Sequence, residues 1–120
     1  MAFHNDLGKK GEELAVIHLI QKGYQILERN WRFRKAEIDI IALKGEELII
    51  VEVKTRTSEA YGKPQEFVNR KKIEMTIFAS NEYVLKKDLE VEVRFDIISV
   101  IINQHKTSIE HIESAFLSID

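Results

Sequence analysis

Residues 36–55 read Ala-Glu-Ile-Asp-Ile-Ile-Ala-Leu-Lys-Gly-Glu-Glu-Leu-Ile-Ile-Val-Glu-Val-Lys-Thr, two apolar runs on either side of Lys44-Gly45-Glu46-Glu47. The runs Ala36 to Leu43 and Leu48 to Thr55 have the length and β-branched content of strands, and the Gly-containing connection predicts an antiparallel hairpin. Ile49-Ile50-Val51 is apolar on both faces, the pattern of a central strand covered on both sides. That strand nevertheless ends in an acid and a base, Glu52 and Lys54. Side chains two apart on a strand face the same way, so Glu37 and Asp39 are expected on one face, and Glu52 and Lys54 on one face. Burying such charges is costly unless they are paired or bind a cation.

Working outward, residues 5–22 read as a helix with Asn5 or Asp6 as N-cap and Gly23 just past its end. Ala15, Val16, Leu19 and Ile20 share one side at helical spacing, and Glu12 falls within their arc, aimed at the core. Tyr24 to Phe33 is the first strand. A second helix is predicted over residues 66–86, with Phe67, Val68, Ile73, Ile77, Phe78 and Val84 as its apolar contributors. Val91 to Ile102 returns to strand, and a short C-terminal helix is expected around Ile109–Leu117. The order α-β-β-β-α-β plus that helix gives an α/β class with a mixed sheet flanked by helices, the second helix crossing over so that the last strand lies parallel to the third.

The chain has 120 residues, 44% of them hydrophobic and 32% charged, with one proline and no cysteine. That composition excludes disorder and a disulfide scaffold, and without repeats or linkers residues 1–120 read as a single domain. No apolar stretch approaches the roughly 20 residues of a membrane span, and the first ten residues lack a signal-peptide core, so no membrane association and a cytoplasmic location are expected. The net charge of −2 conceals segregation. Residues 1–35 carry seven basic and four acidic groups, residues 36–53 one and five, and residues 54–72 six and two. An acidic knot between basic segments is what a metal-dependent site acting on a polyanion requires; a mixed solvated surface produces similar counts.

The hairpin can bring Asp39 beside Glu52, with Glu12 approaching from the first helix. Carboxylates gathered at one point raise one another's pKa unless a divalent ion neutralises them. An oxygen-only ligand set selects Mg²⁺ or Mn²⁺ over zinc. Lys54 is placed to orient a water or to steady charge on a phosphate. The plainer alternative is a surface Glu52–Lys54 ion pair with Glu37 and Asp39 facing solvent.

Glu37-Ile38-Asp39-Ile40-Ile41-Ala42 followed by Glu52-Val53-Lys54-Thr55-Arg56 resembles the PD-(D/E)xK nuclease superfamily, specifically its Holliday-junction-resolvase-like branch. The chain is closer still to the YraN-like bacterial family. That resemblance runs through Gly11-Glu12-Glu13-Leu14-Ala15, Gly23-Tyr24, Asn30-Trp31, Val51-Glu52-Val53-Lys54, Tyr61-Gly62 with Pro64, Val68 with Lys71 and Lys72, Arg94-Phe95-Asp96-Ile97 and Ala115-Phe116. It implies a restriction-endonuclease-like core. It also implies Asp39, Glu52 and the Val53 carbonyl as metal ligands, Lys54 as the catalytic lysine, and Glu12 as a helix-borne catalytic acid holding a second ion or an outer water. One departure stands out: Ala36 occupies the place where the family usually has glycine before Glu-Ile-Asp.

Arg34, Lys35, Arg56, Lys63, Arg70, Lys71 and Lys72, with Arg29 and Arg32, are candidates for a phosphate-backbone track. Trp31 and Phe33 alternate with Arg32 and Arg34, a pattern able to stack on an unpaired base, although alternation equally turns both aromatics inward. His4, His18, His105 and His111 have no metal-binding spacing, and neither a P-loop nor a GxGxxG motif is present. The resulting expectation is a Mg²⁺- or Mn²⁺-dependent nuclease acting on DNA, with branched or structured DNA favoured by the resemblance. A branched substrate would favour a homodimer. The alternative is a nucleic-acid-binding or assembly module that keeps the fold with little or no catalysis. No feature reads a 2′-hydroxyl, so RNA remains an alternative substrate.

Overall fold

The computed structural model describes residues 2–58 and 69–116, with side chains from Asp6 onward. In chain order the elements are α1 (Ala2–Gln21), β1 (Gln25–Phe33), β2 (Ala36–Lys44), β3 (Glu47–Arg56), α2 (Arg70–Lys87), β4 (Glu92–Ile102) and β5 (Thr107–Phe116). The five strands form one sheet in sequential order. All neighbours are antiparallel except β3 and β4, which run parallel because α2 carries the chain back between them. The hairpin expected at residues 44–47 is present, with Lys44 opposite Glu47 and Gly45 at φ +61°. None of the described helices is long and apolar enough to cross a membrane.

The apolar middle of β3 is explained by what covers it. Ala15 and Leu19 of α1 pack with Ile40, Ala42, Ile49, Val51, Ile98 and Val100 on one face. Ala79 and Tyr83 of α2 pack with Ile38, Ile41, Leu48, Ile50 and Phe95 on the other. Each fully buried Leu or Ile contributes roughly 1.5–3 kcal/mol. The stripe of α1 that meets the sheet is Gly11, Ala15 and Leu19, at i+4 spacing. Ile20, expected on that side, is 56% exposed. Gly11 permits the close approach: a β-carbon there would stand 1.9 Å from Thr55 Oγ1.

The ends of both helices follow the same device. Tyr24 N–H donates to Leu19 and Gly23 N–H to Ile20, with Gly23 at φ +89°. Those are the two bonds of a Schellman motif, as the glycine predicted. At α2 the equivalent bonds run from Leu89 to Val84 and from Asp88 to Leu85, with Asp88 at φ +53° in place of glycine. Two boundaries differ from the sequence reading. Asn5 and Asp6 lie inside α1, which already begins at Ala2. Asn69 is extended and caps α2 by accepting from Lys72 N–H, so the described helix starts at Arg70; residues 66–68, including Phe67 and Val68, lie outside the described residues.

The expected C-terminal helix is instead the edge strand β5. Ile109, Ile112, Ala115 and Phe116 recur at helical spacing, but Asn103 turns the chain by accepting from the backbone N–H groups of His105 and Lys106. A bulge opposite Phe95 and Ile97 then breaks the two-residue alternation that would have marked a strand. Within the bulge Ser114 adopts φ +51° and its N–H donates to Asp96.

Asp96 is fully buried and completely satisfied. Arg94 holds it through two hydrogen bonds of 2.9 and 2.8 Å, and His111 Nε2 stands 2.7 Å from Oδ2. Arg94 in turn donates to the Tyr24 hydroxyl at 2.7 Å, and His111 Nδ1 lies 3.2 Å from His18 Nε2. Burial opposes ionisation of Asp96, yet His111, Arg94 and the Ser114 N–H together hold its carboxyl below the usual range. The network ties β4, β5, α1 and the start of β1 into one unit.

Two substitutions test this packing. Gly11→Ala gains helix propensity of about 1 kcal/mol, but the clash with Thr55 outweighs it. The expected net loss, measured by urea unfolding, is about 1–3 kcal/mol, whereas the open Gly8 site should accept alanine with a gain. Arg94→Met removes two of the hydrogen bonds to a buried carboxylate and should lose about 3–5 kcal/mol by the same measurement.

Candidate metal centre

The ladder between β2 and β3 ends at Ile40 opposite Val51. Continued, it would set Ile38 against Val53. Instead, the Asp39 carboxylate accepts the Val53 N–H at 2.8 Å. Across the same point the side chains of β2 change face: Ile38 belongs to the α2-side cluster and Ile40 to the α1-side cluster. On β1, Asn30 takes φ +52° between the pairs Arg29–Ile40 and Trp31–Ile38. The β1–β2 ribbon therefore kinks at Asn30 and Asp39, while β3 continues beside β4 as far as Arg56 opposite Ile101. The uniform alternation expected for Glu37 and Asp39 is thereby replaced by a fork in the sheet with Asp39 in its crotch.

Two clefts meet at this fork and share Glu37 and Asp39. One, of about 700 Å³, adds Glu12, Asn30, Arg32, Val53 and Lys54 among its lining residues. The other, of about 390 Å³, adds Lys35, Glu52, Asn69, Lys71 and Lys72. Burial, then the neighbouring Glu52, raise the Asp39 carboxyl to about 7; Glu12 adds to the rise, and the Val53 N–H and Lys72 oppose it. Asp39 stands between the other three expected positions: Glu12 and Lys54 line the larger cleft with it, while Glu52, expected on one face with Lys54, lines the smaller.

Glu12 is not isolated. Asn30 donates to its Oε1 at 2.8 Å, and Arg29 reaches both Glu12 and Glu13, at 3.4 and 2.8 Å. Glu52 carries an ion pair, but its partner is Lys72 of α2, where the plainer sequence reading had Lys54. The Asn69 cap fixes the first turn of α2 and so presents Lys72 to the cleft.

The remaining basic candidates divide. Lys35 and Lys71 line the smaller cleft beside the carboxylates, and Arg34 lies over the rings of Phe33 and Phe78. Arg56 stands 3.4 Å from Ser99 Oγ and Arg70 pairs with Glu74 at 3.2 Å, and neither is among the residues lining the two clefts. Arg32 pairs with Glu37 at 3.5 Å. Lys63 lies outside the described residues. Sequence reasoning did not find Asn30 or Asn69 as site residues; the signal for Asn69 was its place as a capping residue just before Arg70-Lys71-Lys72.

The donor chemistry suits a hard cation. Carboxylates of Asp39, Glu52 and Glu12 and the Val53 carbonyl offer only oxygen. Among the described residues no three His, Asp or Glu groups already close around one point. An ion at Asp39 would therefore complete its shell with water or phosphate oxygens, as Mg²⁺ ordinarily does.

The raised carboxyl has a measurable consequence. Between about pH 4 and 7 the folded chain holds a proton on Asp39 that the unfolded chain releases, so metal-free stability falls as pH rises through that window. Asp39→Asn retains an oxygen for Val53 and removes the charge. In EDTA the variant should melt above the wild type at pH 8, with the difference shrinking toward zero near pH 4. A difference that is the same at both pH values contradicts this placement of Asp39.

With the geometry in place, its relatives are informative. The profile described as "Uncharacterised protein family UPF0102" matches residues 11–100, which include Glu12, Asp39, Glu52 and Lys54. The UPF0102 protein FP2501 of Flavobacterium psychrophilum is 58% identical over 116 residues, covering 97% of this chain and 98% of the relative. A UPF0102 protein of Christiangramia forsetii is 57% identical with the same coverage, and one of Phocaeicola vulgatus is 47% identical over 97% of this chain and 96% of its own. The segment matched by the family spans the fork, α2 and the second half of α1, and on these grounds the chain belongs to the UPF0102 family.

Proposed function

We propose that the protein is a divalent-metal-dependent nuclease that hydrolyses phosphodiester bonds in DNA, with branched or otherwise structured DNA as the expected substrate. The observation that carries this reading is the Asp39 carboxylate: half-buried at the fork, destabilised by two other acids, and given one N–H donor among the described residues. A fold that fully satisfies Asp96 leaves Asp39 in deficit, which is the mark of a functional group more than of a structural one.

Asp39, Glu52 and the Val53 carbonyl would hold Mg²⁺ or Mn²⁺, with Glu12 serving a second ion or an outer water. When bound, the ion supplies positive charge at the phosphoryl oxygens and acidity for the attacking water. Lys54, lining the cleft with Asp39 and Glu12, stabilises charge developing on the phosphate. Lys35 and Lys71 hold neighbouring phosphates of the strand, and Arg29 and Asn30 keep Glu12 oriented toward the cleft.

One observation favours a second reading, a nucleic-acid-binding or assembly module without turnover. Lys72 already neutralises Glu52, which is how a fold with no need for an ion would treat that acid. A cleavage panel separates the two: linear duplex, single strand, flap, four-way junction and a structured RNA, with Mg²⁺ or Mn²⁺. The nuclease reading expects metal-dependent cleavage of at least one member and a loss of about 10²–10³-fold in Lys54→Ala, the scale of losing one transition-state charge contact. Tight binding without cleavage by either protein supports the module.

A further inference from the structure

The kink that makes the fork also carries the tip of the β1–β2 ribbon over to the α2 side. There Phe33 stacks parallel to Trp31, and Phe78 of α2 lies 5.7 Å from Phe33 between ring centroids. Phe78 is one of the apolar contributors of the second helix, yet it is 47% exposed. With Met75, Ala36, Arg34 and Lys35 these two rings line an open apolar cleft of about 380 Å³. Its walls are almost wholly apolar, but its rim is cationic. The cleft is continuous with the acidic one, since Lys35, Ala36 and Met75 line both.

We infer that this shelf is a stacking site for one unpaired nucleobase of the strand whose phosphates run past Lys35 and Lys71 toward Asp39. The inference rests on the nucleic-acid reading of the fork and adds a substrate class to it: nucleic acid with an unpaired nucleotide next to the bond being cut. Three features choose a base over other occupants. The exposed surface includes the half-exposed ring of Phe78, and aromatic rings accept any base by its face. The Arg34 guanidinium, 5.3 Å from the Phe33 centroid and 5.6 Å from that of Phe78, is a planar cation able to stack on a base or to turn to its phosphate. The rim charges of Arg34, Lys35 and Lys71 complement a polyanion, whereas an apolar protein segment would have to strip them of water. A paired base cannot enter without leaving its helix, so the shelf discriminates against intact duplex.

The test is binding in EDTA, where no hydrolysis occurs, by fluorescence anisotropy of a single-stranded oligonucleotide and of the fully paired duplex of equal length. Phe78→Ala should weaken single-strand binding about tenfold while changing duplex binding by less than about twofold. Phe78→Trp should restore it. A 2-aminopurine in the strand should be quenched on saturation by the wild type and stay bright with Phe78→Ala. Because Phe78 is half exposed, the variants are expected to fold, which circular dichroism checks.

Equal losses on both DNAs, no loss on either, or no binding of either DNA by the wild type overturns the shelf. So does a change of mass by light scattering in Phe78→Ala with DNA binding intact, which would assign the shelf to a protein partner or a second copy. The catalytic reading fails separately: base-dependent quenching with no metal-dependent cleavage leaves the shelf standing and removes the nuclease. Cleavage abolished by Asp39→Asn, with Phe78→Ala indifferent in binding, does the reverse.

Discussion

The hydrogen bond from the Val53 N–H to the Asp39 carboxylate is the joint on which the architecture turns. It supplies the acceptor that a continued β2–β3 ladder would have supplied, so the two strands can part without orphaning a buried donor. Everything near the site follows from that parting. The β1–β2 ribbon bends at Asn30 and Asp39, its tip crosses to the α2 side, and a cleft opens on each side of the crotch. The same carboxylate that permits the fork is also the most electrostatically loaded group of the cluster, since Glu52 and Glu12 face it from the neighbouring elements.

The two inward-facing aspartates show how differently one small fold treats the same side chain. Asp96 receives Arg94, His111 and a backbone N–H, and its carboxyl falls below the usual range despite full burial. Asp39 receives one N–H among the described residues, and its carboxyl rises. The first arrangement locks β4 to β5, α1 and the start of β1; the second leaves a demand that a cation would meet.

Much of this was legible in the chain itself. Ile49-Ile50-Val51 announced a strand covered on both faces, Lys44-Gly45-Glu46-Glu47 a hairpin, and Gly23 the end of the first helix, because each is a local constraint. Glu12 stood out as an acid within an apolar arc. What escaped was non-local. The change of face at Asp39 depends on a side-chain bond to another strand, so simple alternation misassigned it. The partner of Glu52 is Lys72, twenty residues away in sequence, where proximity had suggested Lys54. Helical spacing of Ile109, Ile112, Ala115 and Phe116 concealed an edge strand because the bulge that receives Asp96 disturbs its period. The exposure of Phe78 was not legible either, because an apolar pattern on a helix does not reveal which of its members the sheet covers.

The most direct measurement of the central proposal, an ion site at the fork, is a crystal structure grown with Mn²⁺ and examined for its anomalous signal. The expected result is a peak about 2.1 Å from an Asp39 carboxylate oxygen and from the Val53 carbonyl, with Glu52 turned from Lys72 toward the ion. A map at millimolar Mn²⁺ with no peak at the fork, and with Lys72 still on Glu52, would contradict it.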